Sequence, residues 1–451
     1  MNKFNTCITA FLVVSSFTGV RVNAQYISTF AGHKTADTGA YAGDGGLAIN
    51  AQLNSCTAVA VDGAGNVYIA DKGNNVVRKV NTAGIISTFA GIGAAGFGGN
   101  GGNATAALLN MPTSVATDGA GNLYISDQGN NRIRKVTPFG IISTFAGNGI
   151  ATYTGDADSA HLASINGPEG IAVDVSGNLL IADAGNHVIR RVSTSGIIST
   201  VAGSGVIGNS GDGGSALAAR LYNPSGIATD VTGNIYIADV LNNKIRKVSS
   251  SGVISTFAGT GTAGNTGNGG AAVAASLRFP SGVATDGLGN VYIADQGNYN
   301  VRVVTASGVI SNYAGTSTSG YDGDGGLATS AKLGSPKTVY VDGWGRVYIA
   351  DNTNHVIRTI TSAASVGTVS ATQQLSVFPN PTTGDFTISM PSTYSVAVVS
   401  VTDILGKVVF QQQITNSLKS FEINLSNILP GNYIVSLSTD KQEYKSTLVK
   451  E

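Results

Sequence analysis

The sequence predicts an all-β protein: a six-bladed β-propeller followed by a smaller, separate β domain. Three observations carry this. The stretch Asp118–Gly147, DGAGNLYISDQGNNRIRKVTPFGIISTFAG, recurs, and Asp62, Asp118, Asp174, Asp230, Asp286 and Asp342 open six copies spaced 56 residues apart. Self-similarity at a fixed period marks one supersecondary unit used repeatedly. Within each copy, short apolar segments alternate with Gly/Asn turns, the pattern of antiparallel hairpins. The composition agrees: 61 of 451 residues are Gly, and charged residues make up 12%, against roughly 25% in an ordinary domain. The 26 basic and 26 acidic residues cancel, so the chain has no electrostatic footprint for nucleic acid, and its apolar content excludes disorder.

Residues 1–24 read as a secretory signal. Lys3 supplies the positive end, Thr6–Val20 the apolar core, and Val22-Asn23-Ala24 small residues before Gln25. That core is shorter than the ~20 residues a spanning helix needs. Removal of the signal takes Cys7 with it, leaving Cys56 and no internal disulfide. Cys56 fills the slot held by Pro112, Pro168, Pro224, Pro280 and Pro336, as a buried thiol would.

The propeller spans 25–361. In the second copy, Ser114–Asp118, Leu123–Asp127, Arg132–Val136 and Ile141–Ala146 are four strands, with Gly129-Asn130-Asn131 turning the second into the third. Such a meander, apolar on both faces, buries itself only against neighbouring blades around an axis. The fourth-strand phrase also occurs as Ile27–Gly32, before any blade, whereas the last set, Val339–Ile360, lacks a fourth strand. Ile27–Ala31 is therefore expected to pair with Val356–Ile360 and close a composite sixth blade.

The phrases Asn186-His187-Val188-Ile189-Arg190 and Asn354-His355-Val356-Ile357-Arg358 resemble the NHL repeat family. The resemblance implies a propeller used mainly as a binding platform.

A longer loop joins each fourth strand to the next blade. It carries Gly-Asp-Gly-Gly at Gly43, Gly211 and Gly323, with Asn100 and Asn268 replacing the Asp in two copies and Asp156 in the third. An Ala-rich run follows, expected to form a single helical turn. The loop into the first blade is longer, with His33, Lys34 and Asp37. Asp322 and Asp324 have the spacing of oxygen ligands in some calcium loops, making calcium the one cofactor the sequence suggests, although no glutamate completes the shell.

Six-fold recurrence makes the repeated aspartates structural. Asp62 and its equivalents hold a turn through backbone N–H groups. Asp71 and its equivalents stand seven residues before Arg78, Arg134, Arg190, Arg246, Arg302 or Arg358, the spacing of a carboxylate–guanidinium pair. Four histidines build no zinc site. No nucleophile elbow, phosphate loop or CxxC appears, so no catalytic residues are assigned.

Function is sought where the symmetry breaks. The step before the first strand reads Thr57, Thr113, Glu169, Ser225, Ser281 and Lys337. Glu169 and Lys337 lie three blades apart at the mouth of the central channel, and mark a candidate polar ligand site there. A solvated charge pair is the plainer alternative. Trp344 and Arg346, on the opposite rim, replace the usual small residue and Asn of the turn.

Residues 362–374 are small and polar, as a linker should be. In 375–451, Ser376-Val377-Phe378-Pro379-Asn380-Pro381-Thr382-Thr383-Gly384-Asp385, then Val401-Thr402-Asp403-Ile404-Leu405-Gly406-Lys407, then Leu429-Pro430-Gly431-Asn432-Tyr433, resemble the type IX secretion (Por) sorting domain of Bacteroidetes. The resemblance implies a small Ig-like β-sandwich that engages the type IX secretion machinery and directs the chain across the outer membrane, with no membrane span in the mature protein. The function expected is an exported, cell-surface or secreted binding module whose partner is an extracellular protein or glycan. The alternatives are a propeller hydrolase or lyase acting at the channel mouth, and a self-associating surface-layer component.

Overall fold

The computed structural model describes residues 25–33, 39–362, 375–389, 397–403, 408–414, 420–428, 430–439 and 443–450. The segment read as a signal, 1–24, and the linker residues 363–374 lie outside them, as do Lys34 and Asp37. The chain divides into two compact units, Met1–Ala364 and Ser365–Glu451.

The first unit consists of six four-stranded antiparallel sheets. In blade 2 the strands run from the axis outward as Pro112–Thr117, Leu123–Asp127, Arg132–Val136 and Ile142–Ala146. The inner strand starts earlier than the sequence suggested, because Pro112 pairs with Asp127 across the sheet. Inner strands of successive blades contact one another, and Cys56–Val61 meets Pro336–Val341 to complete the ring. The second strands are buried along their length, save Ile235 at the start of the fourth, with Ile69, Ile125, Ile181, Ile237, Ile293 and Ile349 packed between blades.

The composite blade forms as expected. Gln25–Ala31 pairs antiparallel with Val356–Ser362, with Ile27 opposite Ile360 and Thr29 opposite Arg358. Phe30 is looped out of register, and its ring meets Tyr348 edge-on at 5.2 Å. Tyr68–Phe89, Tyr124–Phe145, Tyr236–Phe257 and Tyr292–Tyr313 repeat the contact in four other blades.

The expected helical turns are short 3-10 turns such as Ala104–Ala106. The preceding Gly-Asp-Gly-Gly segment lies along the outer strand: Gly45 N–H donates to the Ile86 carbonyl and Ile86 N–H to that of Gly46. The loop thereby covers the edge that an open sheet would expose. The turn between second and third strands is also a 3-10 turn, Gln128–Asn130, closed by Asn131 in the left-handed conformation at φ +52°.

In the second unit, Val377–Phe378, Asp385–Ser389 and Ser420–Asn424 form one sheet. Val408–Ile414, Ala397–Asp403, Gly431–Thr439 and Glu443–Lys450 form the other. Phe386, Ile388, Val399, Val401, Val435 and Leu437 share one core, which makes a sandwich. No helix among the described residues is long and apolar enough to cross a membrane.

Candidate functional site

The channel mouth is built by a bulge. Opposite the step Cys56 to Ala58, the second strand advances by a single residue, Asp71 to Ala70, so Thr57 is the extra residue. The same shift falls at Thr113, Ser281 and Lys337, and in blades 3 and 4 within Glu169-Gly170 and Ser225-Gly226. A bulge leaves its extra residue outside the ladder and re-aims its side chain. Thr57, Thr113 and Ser281 use their hydroxyls to donate to backbone carbonyls at Pro112, Pro168 and Pro336 of the following blade. Below the mouth the inner strands pack closely. A Cβ on Gly226 would lie 2.8 Å from the Gly282 Cα, and one on Gly282 2.7 Å from the Thr338 Cα. The channel encloses about 250 Å³ between walls of Ala, Val, Ile, Ser, Thr, Gly and Tyr.

Glu169 and Lys337 meet over this channel. Lys337 Nζ donates to Glu169 Oε2 at 3.0 Å, and the two side chains are 21% and 16% exposed respectively. Ser225 Oγ donates to the same oxygen at 2.6 Å, and Gln128 Nε2 donates to Oε1 at 3.2 Å. The pair is therefore a largely buried ion pair braced by Ser225 and Gln128. Burial alone would raise the Glu169 carboxyl, but Lys337, Ser225 and Lys72 outweigh it and hold it down at about 2. Lys72, in the turn of blade 1, is the residue that sequence reasoning missed. Burial lowers its ammonium below the usual lysine range, with Glu169 opposing the shift and Lys337 adding to it.

The remaining candidates lie away from the mouth. Asp324 Oδ1 accepts from Arg358 Nη2 at 2.6 Å, and its Oδ2 from Thr29 Oγ1 at 2.7 Å. Asp322 accepts from the Lys332 N–H at 2.7 Å and pairs with Lys332 Nζ at 3.1 Å. These carboxylates thus face cations of the chain itself. Among the described residues no three His, Cys, Asp or Glu side chains converge as metal ligands.

The Asp–Arg pairs form in all six blades at 3.3–3.9 Å, with both partners fully buried. The loop aspartate is a second partner, since Arg190 reaches Asp156 at 2.7 Å and Arg246 reaches Asp212 at 2.7 Å. Burial pushes the Asp71, Asp183 and Asp295 carboxyls up to about 6, against the Asn amide, backbone N–H and guanidinium that bind each one. The turn aspartates act as expected, Asp62 Oδ1 accepting from the N–H groups of Ala64 and Asn66. On the opposite rim Trp344 is half-exposed and Arg346 Nη1 donates to the Tyr348 hydroxyl at 3.1 Å.

Known proteins share both units. Residues 376–451 match the family described as the secretion system C-terminal sorting domain. Residues 11–95, 150–210 and 205–266 match the Teneurin NHL domain. Mouse Teneurin-1 is 30% identical over 236 residues, which cover 46% of this chain and 8% of that protein. The Arabidopsis thaliana chloroplastic protein SUPPRESSOR OF QUENCHING 1 is 29% identical over 276 residues, covering 57% of this chain and 24% of its own. The chain therefore spans only a small part of these relatives. A solved protein of unknown function from Bacteroides thetaiotaomicron shares the fold at 19% identity and a TM-score of 0.55, over 75% of this chain and 76% of that one. An auxiliary nutrient binding protein from Bacteroides ovatus does so at 17% identity and a TM-score of 0.55, over 75% and 77%. The sorting domain marks the chain for export by type IX secretion to the cell surface or medium. The chain is an NHL-repeat β-propeller carrying a C-terminal type IX secretion sorting domain.

Proposed function

We propose that this exported propeller is a binding module that holds an extracellular ligand, a protein or a glycan, at the mouth of its central channel. The observation that carries the reading is the Glu169–Lys337 pair over the axis. Four blades fill the same bulge with Thr or Ser, so a small hydroxyl is enough to close the ring there. A largely buried ion pair adds little net stability, because desolvation consumes most of its Coulombic gain. Its presence at two of six positions is better explained by what it offers a ligand. The Bacteroides ovatus protein, described as nutrient binding, is a precedent for this fold in capture.

The test is a screen of the purified full chain against glycans and surface proteins, repeated with the double variant Glu169→Ala/Lys337→Ala. Capture by the wild type and loss in a folded double variant is the expected result. Undiminished capture by the double variant would place the ligand elsewhere.

A further inference from the structure

The first residue of the turn that holds Lys72 varies from blade to blade. Its equivalents are Gln128, Ala184, Val240, Gln296 and Asn352. Three are amides, and each spends its NH₂ group at the start of an inner strand. Gln128 Nε2 donates to Glu169 at 3.2 Å, Gln296 Nε2 to Ser335 Oγ at 2.9 Å, and Asn352 Nδ2 to the Cys56 carbonyl at 3.1 Å. Their carbonyl oxygens are left as acceptors.

These residues occupy contiguous blades. Gln296, Asn352, Lys72 and Gln128 come from blades 5, 6, 1 and 2, while Glu169 and Ser225 of blades 3 and 4 draw Lys337 toward the other half. The two halves differ in what they leave free. The Glu169 carboxylate is filled by Gln128, Ser225 and Lys337. Lys72 is half-buried and, among the described residues, makes no ion pair or hydrogen bond through its ammonium. With two ammoniums and one carboxylate, the mouth carries a net single positive charge.

We infer that the mouth binds a small monoanionic, hydroxyl-rich molecule of the uronic acid class, its carboxylate on Lys72 and its hydroxyls donating to the amide oxygens of Gln128, Gln296 and Asn352. The inference rests on the reading of the mouth as the binding site and names the class of ligand it takes. A neutral sugar leaves the Lys72 ammonium uncompensated, and an amino sugar adds a like charge to it. A half-buried ammonium favours an anionic partner more than an exposed one does, because fewer waters screen it.

The experiment is calorimetric titration of the full chain at low salt with D-glucuronate, D-glucose and D-glucosamine, on the wild type, Lys72→Met, Lys72→Arg and Glu169→Ala/Lys337→Ala. Glucuronate is expected to bind at least about tenfold more tightly than glucose, and glucosamine most weakly. Lys72→Met should bring glucuronate down to the glucose level with the melting temperature unchanged, and Lys72→Arg should restore most of the preference. Equal binding of glucose and glucuronate, glucuronate binding untouched in Lys72→Met, or no binding of any of the three would overturn the inference. Sugar binding without charge preference that is lost in the double variant would overturn it while leaving the mouth as the site. Binding retained both in the double variant and in Lys72→Met would remove both.

Discussion

At the scale of single residues, one slot explains how successive blades are joined. The residue that ends the turn after the second strand is Asn75, Asn131, His187, Asn243, Tyr299 or His355, in the left-handed conformation each time. Asn131 Oδ1 accepts from the Gly167 N–H at 2.9 Å, and Asn75 and Asn243 do the same for Met111 and Phe279. His187 Nδ1 accepts from the Asn223 N–H at 3.2 Å, and His355 Nδ1 from that of Ser55 at 2.8 Å. Histidine thus stands in for asparagine as an acceptor between blades. Tyr299 offers no such acceptor, and Ser335 donates instead to Asp351. His187→Asn should therefore be close to neutral, whereas His187→Leu should cost about 1–2 kcal/mol by orphaning the Asn223 N–H, as read from urea unfolding. Burial also lowers the His187 pKa. The unfolded chain then binds the proton more readily, so this residue withdraws stability as pH falls below the ordinary histidine range.

Glu169 acts in the same direction at lower pH. Its folded carboxyl sits at about 2 against an ordinary 4.5, so its stabilisation is complete above 4.5 and is lost as pH falls toward 2. Glu169→Gln should cost on the order of 2–3 kcal/mol at neutral pH. Denaturant melts across pH should show the gap from wild type closing between about 4.5 and 2. A gap that persists at the acid end would mean that the cost is steric.

At the scale of the element, four of the six blades are clamped by an arginine held between a strand carboxylate and a loop carboxylate. Arg358 joins Asp351 of the second strand to Asp324 of the loop over the composite blade. In blade 2, Asn100 takes the loop position and accepts from Arg134 at 2.9 Å. Asp324→Asn should thus be mild. Asp324→Ala should cost more, about 1–3 kcal/mol, by leaving a buried guanidinium N–H without its partner. Calcium bound in this loop would have to displace Lys332 and Arg358 from Asp322 and Asp324. Thermal melts of wild type and Asp324→Asn should be the same with calcium and with chelator. A calcium-dependent rise in the wild type alone would place calcium in the loop.

The strand–Arg pair was legible in the sequence because it recurs at a constant spacing. The loop partner was not, since Gly-Asp-Gly-Gly reads as a turn and Asn replaces the Asp in two copies. Lys72 was hidden for a related reason. Its slot holds Lys, Gln, Ala, Val, Gln and Asn, so no repeated residue type marks it. Glu169 and Lys337 stood out as the charged exceptions, but their direct contact depends on how tightly Gly170, Gly226 and Gly282 let the inner strands approach, which is a tertiary quantity.

At the scale of the whole propeller, the N-terminal strand holds the ring shut and thereby keeps blade 6, with Lys337, in place against blade 3. Ile27 is buried to 1% exposure, as Ile86 and Ile142 are buried in the outer strands of complete blades. Ile27→Ala should therefore cost about 2–4 kcal/mol, comparable to Ile86→Ala, in guanidinium unfolding. A cost under about 0.5 kcal/mol, the level of an exposed site, would mean that the strand is not docked. Closure was readable from strand counting, because a fourth-strand phrase without a blade and a blade without a fourth strand have a single joint solution.

The claim that function sits at the mouth of the channel is tested most directly by hydrogen–deuterium exchange on the full chain, with and without the ligand captured in the screen. Added protection is expected at the inner-strand starts around Thr57, Thr113, Glu169, Ser225, Ser281 and Lys337, and at the turn holding Lys72. Protection confined to the opposite rim, at the turn carrying Trp344, would contradict that claim.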